Sequence, residues 1–115
     1  MILARHTSPD ETLTLIAEQL GDDVQIGFEG LSWHTHGDIL AQLSGLPVQS
    51  AVEQFVEEVL HGEHVLALLQ REGALVDAWV TDDPAKDANY ARPGEAFEFR
   101  YWDGTQAWPQ EHLRR

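Results

Sequence analysis

The chain has 115 residues, 43 % of them hydrophobic, and no cysteine. It is therefore expected to form one domain over 1–115 with enough apolar mass for a core, and disulfide and thiolate chemistry are excluded. Twenty acidic residues against seven basic give a net charge of −13; that field repels nucleic acid and anionic membranes, whose binding needs Lys and Arg against phosphate, and attracts basic proteins. No apolar run approaches the ~20 residues that cross a bilayer. The start Met1-Ile-Leu-Ala-Arg-His6 lacks the basic and long apolar regions of a signal peptide, so a cytoplasmic location is expected.

In chain order, Ile2 to Ala4 predicts a short strand. Thr7-Ser8-Pro9-Asp10-Glu11 has the composition of a helix start: Ser8 as cap, Pro9 at the first helical position, and Glu11 completing a capping box. Leu13, Ile16, Ala17 and Leu20 would then form its buried stripe, and Gly21 would end it. Val24 to Glu29 alternates apolar and polar, which predicts a strand with Val24, Ile26 and Phe28 inward. Gly30 breaks the pattern, and Leu31 to His36 resumes it with Leu31, Trp33 and Thr35 on one face and Ser32, His34 and His36 on the other. Ile39 to Leu43 fits either a helical turn or the end of that strand. Ser44 to Pro47 is a loop.

The stretch Ser50 to Asp83 organises the rest. Ser50 to His61 predicts a helix closed by Gly62, with a Ser50–Glu53 capping box and Val52, Phe55, Val56, Val59 and Leu60 on one face. His64 to Gln70 and Leu75 to Thr81, joined by Arg71-Glu72-Gly73, predict a hairpin onto which that helix folds. Asp82 to Gly94 reads as a long loop of the kind that is often functional. Phe97 to Tyr101 alternates as a strand, Asp103-Gly104 is a turn signal, Thr105 to Trp108 returns, Pro109 stops it, and Gln110 to Arg115 is a polar tail. The expected fold is α+β: an antiparallel or mixed sheet of five to six strands with two main helices packed on one face.

The sharpest chemical pattern is His34-Thr-His36-Gly-Asp38. Two imidazoles at i and i+2 on a strand share a face and, with a carboxylate, are a zinc-ligand pattern. The string is similar to the first half of the metallo-β-lactamase motif, but Ile39 stands where that motif has its last histidine, and the chain is too short for that fold. His61 and His64 form a second pair that would have to converge on the first to complete a site. His34 or His36 with Asp38 also matches a general base and its orienting acid. The chain has no Gly-x-Ser-x-Gly elbow, phosphate-binding glycine loop or calcium-loop spacing. No cofactor is therefore expected, and a small metal-dependent enzyme or zinc-binding protein using His34, His36 and Asp38 is the alternative reading.

Four tryptophans are many for this length. Tyr101 and Trp102 are adjacent on a predicted strand, so one of them points outward, and an exposed aromatic ringed by acids has the composition of a protein-binding hot spot. The expected surface is the long loop and its flanking strand: Asp82, Asp83, Asp87, Tyr90, Glu95, Glu98 and Trp102. The helix acids Glu53, Glu57 and Glu58 come second. Single-domain size, acidic balance, absence of cysteine, the α+β pattern and the segment Ser50 to Gly62 together resemble the immunity proteins that bacteria pair with polymorphic or contact-dependent toxins. The resemblance implies a cytoplasmic inhibitor without catalytic residues, binding a cognate toxin, in many such pairs a basic nuclease. The chain would act as a monomer, or as a homodimer through an edge strand such as Phe97 to Tyr101.

Overall fold

The computed structural model describes residues 1–109, so the polar tail from Gln110 lies outside the described residues. The elements run β1 (Ile2–Thr7), β2 (Thr14–Leu20), β3 (Asp23–Phe28), β4 (His34–His36), α1 (Gly37–Ser44), α2 (Val48–Leu60), β5 (Val65–Arg71), β6 (Ala74–Thr81), α3 (Pro84–Ala88), β7 (Glu95–Arg100) and β8 (Gln106–Trp108). The α+β class stands, but the single sheet of five to six strands does not. Among the described residues there are two antiparallel four-stranded sheets, ordered β1-β2-β3-β4 and β6-β5-β7-β8, and three helices.

The largest correction concerns residues 8–20, which form a loop and strand β2 rather than a helix. Alternation decides it: Leu13, Leu15 and Ala17 are all buried on one face, and the β-branched Thr14 and Ile16 between them suit a pleated strand. The residues that resemble a helix cap close the β1–β2 connection instead. Ser8 Oγ accepts the Leu13 N–H at 3.1 Å and donates to Asp10 at 2.9 Å, and Asp10 accepts the Thr12 N–H at 3.0 Å. Asp10 also receives Arg100 from the second sheet, which ties this loop to β7.

The central helix and hairpin form as expected, with one change at the start. α2 begins at Val48 after Pro47, so Ser50 lies inside the helix and the Ser50–Glu53 capping box does not form. Val52, Phe55, Val56 and Val59 are buried on its apolar face. β5 and β6 pair through a two-residue turn, Glu72-Gly73, with φ of 51° and 83°. Both residues are left-handed, as the turn that matches strand twist requires. Ile39 to Leu43 belongs to α1. Gly37 starts that helix because a side chain there would meet Val48 and Val24 at 2.9 and 3.2 Å, so its absence lets β4 turn directly onto α2.

One apolar cluster joins the layers. It takes Leu15, Ala17, Val24, Ile26 and Phe28 from the first sheet, Val52, Phe55, Val56 and Val59 from α2, and Leu66, Leu68 and Ala78 from the second sheet. The opposite face of the second sheet carries a separate aromatic row. Cross-strand partners share a face, and Trp79, Ala67, Phe99 and Trp108 lie on successive paired positions. Ring contacts run from Trp79 to Phe97 (5.6 Å), Phe97 to Phe99 (5.4 Å) and Phe99 to Trp108 (5.5 Å). The segment read as a thirteen-residue loop contains α3, capped by Asp83 and started by Pro84. α3 lies on the aromatic face, where Asp87 accepts the Trp79 indole N–H at 2.9 Å.

Candidate protein-binding surface

The seven residues expected to form the binding surface separate. α3 and its flanks hold Asp82, Asp83, Asp87 and Tyr90 beside the outer face of the second sheet, and Glu95 shares that face. Three of these acids are occupied within the fold. Asp83 caps α3 by accepting the Lys86 N–H, and Asp87 holds Trp79. Glu95 binds Arg71 at 2.8 Å and the Arg92 N–H at 3.0 Å. The Arg71 guanidinium, then the Arg92 N–H, hold its carboxyl below the usual glutamate range. Tyr90 is exposed. Glu98 lies on the other, core-side face opposite Leu68, where it grips Arg100 at 2.8 Å. Trp102 is 7 % exposed and belongs to the core cluster, while its neighbour Tyr101 is half-buried. Lys86, Arg92 and Arg71 are interspersed among these acids and offset part of their charge.

The histidines divide in a similar way. His34 and His36 do share a face of β4, with ring centroids 4.9 Å apart. Their carboxylate is not Asp38, which turns back to accept the Ile39 N–H of its own helix. His36 instead meets Asp23 of β3 at 2.8 Å. His64 meets Glu58 at 2.9 Å, and His61 lies 3.6 Å from Glu57. Among the described residues, no three His, Asp or Glu side chains come together as ligands for a metal ion. Zinc at His34, His36 and Asp38 therefore has two imidazoles in place and lacks its third partner.

One concavity, about 500 Å³, lies beside Asp23, His36 and Asp38, and another lies between β1 and α2. α2 covers the middle of the first sheet and leaves its β1 side open. The resulting groove, about 630 Å³, is floored by Leu3, Ala4, Ala17, Val24, Val52 and Val56 and edged by His6, Gln19, Gln49, Glu53 and Glu57. Its volume lies within the ~300–1,000 Å³ of ordinary binding clefts. Its apolar floor and carboxylate edge would suit a partner with apolar and cationic groups.

The surrounding charge is uneven. Residues 6–70 hold eleven acidic side chains and no Lys or Arg. Among the described residues, Arg5, on Glu29, and Arg100, on Asp10, reach into this span to neutralise part of it. Glu58 is held below the usual glutamate range by its hydrogen bond to His64, with help from Gln54. Glu53 and Glu57 stand on the exposed side of α2. These second-choice helix acids thus sit on the more strongly negative part of the molecule. The cation-free span is visible in the sequence itself; the groove is not, because it depends on β1 lying beside α2.

No protein-family model, curated protein or solved structure matches the chain.

Proposed function

We propose that the chain is an acidic binding protein that captures a basic protein, as an inhibitor of the immunity type whose partner is a cognate toxin. Its mechanism is association rather than turnover. The observation that carries this reading is the cation-free span of residues 6–70, two of whose carboxylates, Glu53 and Glu57, edge an apolar groove. A one-sign field steers an oppositely charged partner during diffusion and speeds encounter. The apolar floor then supplies the burial that holds the complex. The contact centre in this reading is the α2 face with Glu53 and Glu57, and the face with Asp82 and Asp87 is peripheral.

The test is gentle capture of the protein from its own host, native mass spectrometry of what it carries, and association kinetics with the captured partner at rising salt. The expected result is a basic protein at fixed stoichiometry whose association slows as salt rises, since exposed charges are screened beyond ~8 Å at physiological ionic strength. Reversing Glu53 and Glu57 to Lys should slow association on the order of tenfold, and reversing Asp82 should change it little. A partner without basic character, or association insensitive to both salt and the α2 reversals, would overturn the reading.

A further inference from the structure

The groove has an unusual wall. β1 is paired only with β2, so among the described residues its other edge carries no strand. An antiparallel edge presents every second residue's N–H and C=O outward, a template for another strand. Natural edges are commonly shielded by Lys, Pro, bulges or covering elements. β1 has one irregularity, between Ile2 and Ala4, and no Lys or Pro. Ile2 and Leu3 are exposed at 45 % and 46 %. The same strand lines the apolar groove, and the carboxylates of Glu53 and Glu57 stand across it on α2. Open backbone, apolar floor and facing negative charge thus meet along one strand length.

We infer that an extended segment of the basic partner adds to β1 as a fifth strand of the first sheet. This rests on the reading of the chain as a binder of a basic protein. In strand addition the main chain supplies affinity and alternate side chains supply selectivity. Residues of the added strand that face inward, like Ala4 and His6, meet the groove: short apolar side chains settle on Val52 and Val56, and long cationic ones reach Glu53 and Glu57. Residues that face outward lie beside the Arg5–Glu29 pair and are best polar and uncharged. The segment therefore alternates polar outward residues with Val-like and Lys-like inward ones. A second copy of the chain is the weaker occupant, because two molecules of net charge −13 would repel across the contact.

The probe is a synthetic octapeptide, Thr-Val-Thr-Lys repeated once, titrated into the isotopically labelled full chain by NMR, with a Glu-for-Lys peptide as control. Strand addition predicts amide shifts confined to β1 and α2, slower hydrogen exchange at alternate β1 amides, and no binding of the control. Glu53→Lys with Glu57→Lys should weaken the peptide on the order of tenfold, and Leu3→Asp by a similar factor. Unchanged amide spectra elsewhere would confirm that each variant is folded. Shifts at the β6 or β8 edge, shifts at α2 without slowed exchange in β1, or no shifts at all would overturn strand addition. So would a dimer in sedimentation whose β1 amides are already protected without peptide. The two proposals fail separately: if the captured partner is lost with the α2 reversals but kept with Leu3→Asp, the binder reading stands and strand addition falls.

Discussion

The two sheets solve the same problem of an exposed face in different ways. The second sheet neutralises and covers its own surface. Arg71 binds Glu95, Arg100 binds Glu98 and Asp10, and α3 lies over the aromatic row with Asp87 on Trp79. The first sheet leaves its β1 side uncovered and holds a single cation, Arg5, already bound to Glu29. Total charge would have assigned the binding role to any acid-rich loop. The proposed function rests instead on charge left outside caps and ion pairs beside an unfilled groove, since acids used as caps and ion-pair partners have part of their charge and hydrogen-bonding capacity already engaged.

The most disruptive way to probe the contrast is to cut into the shared core. Leu15 in the first sheet and Leu68 in the second are both fully buried in one cluster. Leu15→Ala and Leu68→Ala should each cost about 2–5 kcal/mol. Denaturant unfolding should remain a single transition in both, and two separate transitions would show that the sheets are independent units. A smaller effect is expected at Gly27, where an added Cβ would stand 2.5 Å from the Trp33 carbonyl oxygen. Gly27→Ala should force β3 from the chain leading into β4 and cost roughly 1–3 kcal/mol, as overpacking does, with the largest amide shifts at His34 to His36. Removing the tie on the covered face is milder. Asp87→Ala should cost about 1 kcal/mol by leaving a half-buried indole N–H unpaired, with a change in tryptophan emission but no loss of the groove.

The last perturbation is pH. Asp10 is held well below the ordinary aspartate range, chiefly by the Thr12 N–H and side chain, with Arg100 and Ser8 adding to it. A carboxyl lowered in the folded state contributes stability that is complete above its unfolded value near 3.8 and is lost as pH falls below it. Glu58, lowered by His64, acts in the same direction. Stability should therefore decline below about pH 4, and Asp10→Asn should flatten that limb while lowering stability at neutral pH. An acid limb identical in Asp10→Asn would show that the β1–β2 loop contributes nothing to it.

Much of the fold was legible where one period dominates. β3 shows clean alternation, α2 a clean helical stripe, and β5–β6 two apolar runs around a glycine turn. Residues 8–20 misled because two periods coexist there. Leu13, Ile16, Ala17 and Leu20 match a helix, while Leu13, Leu15 and Ala17 match a strand, and Ser8-Pro9-Asp10 serves a loop as readily as a cap. Thr12, Thr14 and Ile16 were the deciding signal, through their stiffness at χ1. The division into two sheets was not legible, since β5 pairs with β7 across an intervening strand and helix. The same holds for Trp102, whose burial comes from packing that no local pattern records. In the expected site, the acids were found correctly as acids, but which were engaged by Lys86, Trp79 and Arg71 depends on tertiary neighbours.

The uneven distribution of cations has one more physical consequence. A molecule whose cations lie outside residues 6–70 carries a permanent electric dipole in addition to its net charge. If the partner is a basic protein, as proposed, its approach within a few Debye lengths would exert a torque as well as an attraction and would turn the β1–α2 side forward before contact. On the proposed reading, orientation would thus be partly settled during diffusion, with the exposed edge of β1 arriving already aligned.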